Sequence, residues 1–452
     1  MEYIDSSIVL PWLFAPALCL GAGALATRRH RWYWLVPSEA GGEEINDPMM
    51  LLPDAVAMLE AQLSRVTERE SVPLADARGR ILAEDIVAPV DLPPHDNAAV
   101  DGFAFRHADL PVGGTVGLRV AGRAAAGRPY QGQLARGEVL QILTGAPVPA
   151  GADTVAMQED CSLDGEVLYL PRPPQQGANI RRKGEDIRWG APALRLGRRL
   201  RAPEIALAAA LGNAALPVFR RLQVGLFSTG DEVRNPGAVL LPGQIWDANR
   251  WMLRNLLEGL GCRVADLGVL ADDAGAVEYA LQAAAHDHDL LVTSGGISVG
   301  AEDHLCRVVR RRGTLDIWRL AIKPGKPVGF GDIDTCPILA LPGNPMAAMV
   351  LFLVLGRSIV LRLAGAVEEP PVPIRLPADF RYKKKPGRRE YLLGLMVTPP
   401  DRVSVVCPFP KQGSAMLSTA SELEGLILLP EPMEIVESGD LVEYLPLASL
   451  TG

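Results

Sequence analysis

"DLLVTSGGISVGAED", residues 289–303, is the stretch from which the fold can be read. Leu290 to Thr293 are apolar or β-branched, the run stops at Ser294-Gly295-Gly296, and a helix-like segment follows. A short apolar run bounded by turn residues is the pattern of a strand buried on both faces of a parallel sheet. A strand that breaks into glycines before a helix can hold an anion on its backbone N–H groups. The spacing is neither the dinucleotide-binding G-x-G-x-x-G nor a Walker A loop.

The same alternation extends outward on both sides. "LQVGLF" reads as a strand, "NRWMLRNLLEGLG" as a helix stopped by Gly261, "RVADLGVL" as a strand and "AGAVEYALQAAA" as a helix. Beyond the quoted stretch come the apolar run "CPILAL" and the helix "PMAAMVLFLVLGRSIVLRL", a core helix amid ordinary polarity. Strands alternating with helices predict an α/β domain with a parallel sheet. Upstream, Pro53 suits a first helical turn, and Val56, Leu59, Leu63 and Val66 recur at spacings of three and four, predicting an amphipathic helix. From Leu92 to Glu185, short strand-like runs punctuated by glycine and proline predict a small β-rich domain. "RAPEIALAAALG" is a helix ended by glycine. After Glu368, a proline-rich linker leads to a last β-rich module.

The chain has 452 residues, too many for one ordinary domain. Its net charge is −8 with no dominant Lys/Arg stripe, which argues against a nucleic-acid partner. Six cysteines are scattered singly, as reduced cytosolic thiols are, and six histidines form no zinc-hydrolase spacing. "IVLPWLFAPALCLGAGALAT", Ile8 to Thr27, is long enough to cross a bilayer and is followed by "RRHRWYW". Residues 1–48 are read as an upstream extension, with a membrane anchor as the other reading. The main body is expected in the cytoplasm.

In an open α/β sheet, ligands bind beyond the carboxyl ends of the strands. Four loops fall there: "STGDE" with Asp231, "SGGISVG", "AIKPGKPVGFG" with Lys323 and Lys326, and "LPGNPMAA". Glycines let main chain approach phosphate closely, lysines neutralise it, and an adjacent aspartate can hold Mg²⁺. Each loop alone is weak; four at one sheet edge point to an oxyanion or phosphate site. In "GQIWDANR", Asp247 stands just before a helix and reads equally as a helix cap. Asp101 in "HDNAAVDGFAF" and Glu185 in "NIRRKGEDIRWG" are also explained by turn chemistry.

"DNAAVDGFA", "LTGAPVPAGADTVAMQED", "NIRRKGEDI", "LFSTGDEV", "GQIWDANR", "SGGISVG", "LAIKPGKPVGFG" and "LPGNP" stand in one order from about Leu51 to the C-terminus. This order resembles the molybdopterin molybdenumtransferases, the family of bacterial MoeA and the gephyrin E domain. The resemblance implies an elongated homodimer with a multidomain α/β plus β fold. A three-layer molybdopterin-binding α/β domain would span 220–366, a discontinuous linker domain 49–91 and 186–219, a β-rich domain 92–185, and a C-terminal β-barrel-like domain 367–452. It implies that molybdate and adenylylated molybdopterin give molybdenum cofactor and AMP, with Mg²⁺, in a cleft between one subunit's α/β domain and its partner's β-rich domain.

On that resemblance, Asp231 and Asp247 stand at the metal and pyrophosphate, and Asp101 and Glu185 face them as proton-handling acids. Thr144 shapes the facing side. Ser294, Gly295, Gly296, Ser298, Gly300 and Asp303 would cradle the phosphate end of the pterin nucleotide. Pro342, Gly343, Asn344 and Pro345 form the last loop, Lys323 and Lys326 pair with pyrophosphate or molybdate, and Arg388 and Ser414 approach from the C-terminal module. Ala98, Val100, His95 and Glu424 depart from the family pattern without removing a ligand. Transient contacts with an adenylylating enzyme and with molybdoenzyme acceptors are also implied. Two other readings remain: an adenylyltransferase of molybdopterin, which would share the α/β domain, and a pterin-binding scaffold without turnover.

Overall fold

The computed structural model describes residues 49–110, 117–270, 273–297, 304–367, 370–400 and 403–451. The expectations for residues 1–48 and for Ser298, Gly300 and Asp303 lie outside the described residues. Its centre is a six-stranded sheet in the order Arg263–Leu270, Gln223–Thr229, Leu290–Ser294, Cys336–Leu341, Pro327–Ile333, Gly313–Arg319. The first four strands pair in parallel, as their apolar runs predict. Pro327–Ile333 instead runs antiparallel to both of its neighbours, so the sheet is mixed. The carboxyl end of Gly313–Arg319 and the start of Pro327–Ile333 therefore lie at the same edge as the ends of the parallel strands.

Helices Asn249–Gly259, Ala274–Asp287 and His304–Arg312 follow the strands. Pro345–Leu363 is a long helix with a π-helical segment at Phe352–Gly356. By length and composition it could cross a membrane, but most of it is buried, as expected of a core helix. Its side chains share one apolar core with the sheet and with Tyr391, Leu393 and Leu426 of the C-terminal module. That shared core fixes the two modules side by side.

The early helix is Leu52–Gln62, and it turns Leu52, Ala55 and Leu59 inward. The expected stripe through Val66 is corrected: the chain is extended from Leu63, and Val66 is exposed. Apolar spacing continued past the helix end because Leu63 and Val66 fall on the same period without being helical. Residues Arg69–Pro73, Ala215–Phe219 and Ile81–Leu82 form a small sheet with its own core, including Leu82, Leu200 and Leu216.

Between them lies a six-stranded sheet of Thr154–Met157, Gly102–Phe105, Glu138–Ile142, Gly117–Ala124, Val167–Tyr169 and Ser162–Asp164. The C-terminal sheet runs Arg389–Val397, Gly425–Leu429, Leu441–Pro446, Ile374–Pro377. Val405–Pro408 pairs with Arg389–Val397, and Ala378 bridges to Val406, which closes the barrel-like ring. One strand of this sheet comes from elsewhere: Ile322–Lys323 pairs in parallel with Arg389–Glu390.

Candidate functional site

Three glycine-bearing loops meet at the carboxyl edge of the central sheet. Gly295 and Gly296 have φ +93° and +70°, a left-handed turn that a side chain resists. A Cβ on Gly295 would stand 2.7 Å from the Thr229 carbonyl oxygen, and one on Gly296 2.8 Å from Thr229 Oγ1. The expected N–H cradle is corrected at one position, because the Gly295 N–H donates to the Leu341 carbonyl (2.9 Å) and serves the sheet.

Asn249, buried at the start of its helix, ties two loops together. Its Nδ2 donates to Ser294 Oγ and to the Gly343 carbonyl, both at 2.7 Å. Its Oδ1 has no partner, and neither do Ser228 Oγ, Thr229 Oγ1 and Thr293 Oγ1, all buried at these strand ends. A buried polar atom without a partner costs about 1–3 kcal/mol. Four of them cluster at this one edge, where a bound group or ordered water would satisfy them.

Asp247 makes the helix-start contact that its capping reading expects. Its Oδ1 accepts the Arg250 N–H (3.1 Å), as a helix-start acid does, and its Oδ2 accepts Arg250 Nε (3.0 Å). Both residues are buried, and the Arg250 guanidinium also reaches Asp266 and Asn235. Asp231 is exposed and has no ion-pair partner among the described residues. Nor does any group of three His, Cys, Asp or Glu side chains among the described residues suit a metal.

A cleft of ≈ 460 Å³ opens beside this edge, between the α/β and C-terminal modules. Lys323, Lys326, Pro342, Asn344, Arg388 and Ser414 all line it, with Tyr391 and Gln412. The Ser414 carbonyl accepts the Met346 N–H (2.9 Å), which seats the Gln412–Ser414 loop on the Pro345–Leu363 helix. Lys323 Nζ donates to Glu390 Oε2 (3.1 Å) and to the Tyr382 hydroxyl (3.2 Å), and Tyr382 donates to Glu390 (2.8 Å). Burial works against the Lys323 charge, but those two partners outweigh it and raise its pKa.

Asp101 and Glu185 lie in the other β-rich module, on neighbouring turns linked by the pairing of Asn97–Ala98 with Ile180–Arg181. Asp101 Oδ1 accepts both the Thr144 N–H and its hydroxyl at 2.7 Å, which holds the carboxyl below its usual range. Glu185 accepts the Arg182 N–H (2.6 Å). No hydrogen bond or ion pair among the described residues joins these turns to the sheet-edge loops within the chain.

Sequence reasoning thus missed Asn249, Ser228, Thr229, Thr293, Glu390 and Tyr382. Asn249 could have been found in "GQIWDANR", where it stands at the helix start. Glu390 and Tyr382 give no sequence signal, because their partner is more than fifty residues away.

Residues 50–212 match the family described as MoeA N-terminal region (domain I and II), residues 225–362 the probable molybdopterin binding domain, and residues 375–447 the MoeA C-terminal region (domain IV). The chain is 38% identical over 409 residues to the molybdopterin molybdenumtransferase of Haemophilus influenzae, covering 89% of this chain and all of that one. It is 34% identical over 390 residues to molybdopterin molybdenumtransferase 2 of Mycobacterium tuberculosis, covering 84% and 95%. The structure of the molybdopterin biosynthesis MoeA protein from Pyrococcus horikoshii OT3 superposes with a TM-score of 0.75 at 28% identity, over 88% of this chain and all of that one. A second structure of a Pyrococcus MoeA protein gives 0.68 at 31%, over 88% and 99%.

Proposed function

The chain belongs to the molybdopterin molybdenumtransferase family, enzymes of molybdenum cofactor biosynthesis, and from that premise we propose that it inserts molybdate into adenylylated molybdopterin and releases AMP. Mo–S bonds form to the two pterin thiols, whose S–H protons leave with one molybdate oxo group as water, and cleavage of the phosphoanhydride consumes one water. One observation carries the reading: Lys323, Lys326, Arg388 and Ser414 converge on one cleft beside a sheet edge with unpartnered polar groups. In this reading the pterin phosphate and pyrophosphate lie along Ser228, Thr229, Asn249, Ser294 and the Gly295–Gly296 turn. The cations of the cleft receive molybdate, a doubly charged oxyanion that carboxylates would repel.

Mg²⁺ typically takes one or two carboxylates and completes its shell with water and substrate phosphates. Asp231 fits that need as an exposed carboxylate, and each Asp247 oxygen keeps a lone pair beyond its single bond to Arg250. When bound there, Mg²⁺ would supply Lewis-acid polarisation of the phosphoanhydride. Arg250 holds Asp247 in place at the sheet edge. Asp101, ionised through its Thr144 bonds, accepts a proton or orients water, and Glu185 shares that task.

Among the described residues those two acids have no hydrogen bond or ion pair to the sheet edge, and in this reading the site is completed by a second copy, in a homodimer. The reading keeps the division into 49–91 with 186–219, 92–185, 220–366 and 367–452, a cytoplasmic location, and passing contacts with the adenylylating enzyme and the acceptor enzymes. To separate insertion from adenylylation, the purified chain is given either molybdopterin with ATP or adenylylated molybdopterin with molybdate. AMP release in the second mixture only, dependent on molybdate, supports insertion. Adenylylation in the first mixture favours the transferase alternative, and binding without turnover in either favours a scaffold.

A further inference from the structure

We infer that Glu390 and Tyr382 are positioning residues for Lys323: together they hold its ammonium in place so that one N–H remains for an oxyanion in the cleft, and the C-terminal module thereby sets how the α/β module binds that oxyanion. The inference rests on the reading of the cleft as the molybdate site.

An ammonium has three donors. Lys323 spends one on Glu390 and one on the Tyr382 hydroxyl, which leaves one for the cleft it lines. Glu390 is buried, at 4% exposure, whereas the Lys323 side chain is about half exposed. A buried carboxylate is retained only where it is paired and hydrogen-bonded. Here it holds both a cation and a phenol, so its placement is as fixed as theirs. The backbone repeats the arrangement: Lys323 is registered opposite Glu390, and the Arg389 N–H donates to the Ala321 carbonyl (2.8 Å). The loop that carries Lys323 is therefore held by the strand that carries its counter-ion. Without the carboxylate, a flexible four-carbon stem would sample many positions.

The charged and titratable groups around Lys323 are Glu390 from that strand, Tyr382 from a short strand paired with Ile435–Val436, Lys326 in its own loop, and Arg388 and Tyr391, which line the same cleft. Lys384 also feels Glu390, but its ammonium points away into the carbonyls of Pro430 (2.9 Å) and Met433 (2.8 Å). Glu390 and Tyr382 are thus the groups that keep Lys323 protonated against burial.

The test uses the full chain as wild type, Glu390→Gln, Tyr382→Phe and Lys323→Ala. Competitive acetylation across alkaline pH, read by peptide mass spectrometry, gives the titration midpoint of Lys323 alone. Calorimetry with molybdate over the same range gives the pH at which binding begins to fail. Glu390→Gln keeps an amide oxygen in place, and its Lys323 midpoint should fall. Tyr382→Phe should move it in the same direction, and serves if Glu390→Gln does not fold. In both, the failure of molybdate binding should move down in step. An unmoved midpoint overturns the inference while leaving the molybdate site standing. A moved midpoint with an unmoved binding profile also overturns it. If Lys323→Ala binds molybdate as tightly as wild type, the reading of the cleft falls, and the inference falls with it.

Discussion

Asp247 serves as both a helix-start acid and a buried ion-pair partner, and the two duties can be separated by one atom. Asn still accepts the Arg250 N–H, but it lacks the charge that faces the guanidinium and, in the proposed reading, Mg²⁺. Asp247→Asn should lower turnover at least about tenfold, equivalent to about 1.4 kcal/mol of transition-state stabilisation. Arg250 keeps Asp266 and Asn235 as partners, so the cost in a denaturant titration should be only about 1–2 kcal/mol. Wild-type turnover across a Mg²⁺ titration would make Asp247 a structural residue. Asp101 offers a second test, in pH. Its folded pKa is depressed by the Thr144 N–H and hydroxyl, so it stays ionised into acid conditions. Thr144→Val removes the hydroxyl and keeps the N–H, and Asp101 should then protonate at higher pH. The acid limb of the rate profile should move up; an unmoved limb would take Asp101 out of the rate-limiting proton transfer. The charged members of the site were legible in sequence because each sits in a glycine-bearing or turn-like motif. Glu390 was not, since a single acid among "KKKPGRRE" reads as surface until Ile322–Lys323 is seen pairing beside it.

At the scale of elements, legibility followed burial. The strands Leu290–Ser294 and Cys336–Leu341 are covered on both faces and read as unbroken apolar runs. The antiparallel direction of Pro327–Ile333 and the two-residue strand Ile322–Lys323 depend on long-range pairing, which no local pattern encodes. Helix Ala202–Ala210 was legible from its sequence, and its start gives a stability prediction. Glu204 accepts the Arg201 N–H (2.9 Å) and the guanidinium groups of Arg201 (2.8 Å) and Arg198 (2.9 Å). These contacts, with that of Arg201 the largest, bring its pKa down to about 2. A depressed acid stabilises the fold above its unfolded pKa of about 4.3 and loses that contribution as pH falls toward the folded value. Glu204→Gln should therefore cost about 1–3 kcal/mol at neutral pH in equilibrium unfolding. The gap to wild type should close between about pH 4.3 and pH 2. A gap that stays constant with pH would mean that packing, not charge, is what Glu204 contributes.

At the scale of the molecule, the acids divide between two modules that share no hydrogen bond or ion pair among the described residues, which is why the account requires two copies of the chain. An Asp101→Ala chain mixed and refolded with an Asp247→Ala chain should regain activity, since each heterodimer would hold one intact site. A mixture no more active than either variant alone would place all the acids in a single chain. The order of the motifs was legible along the chain, whereas their meeting was not, because the cleft is lined from the α/β module and from a C-terminal module whose loops lie more than forty residues further on. The most direct test is a single turnover. Purified protein in excess over adenylylated molybdopterin, with Mg²⁺, is mixed with molybdate, and AMP and active cofactor are followed in the same samples. The account expects one AMP for each active cofactor formed, rising together and only when molybdate is present. Active cofactor without AMP, or AMP released at the same rate without molybdate or cofactor formation, would contradict it.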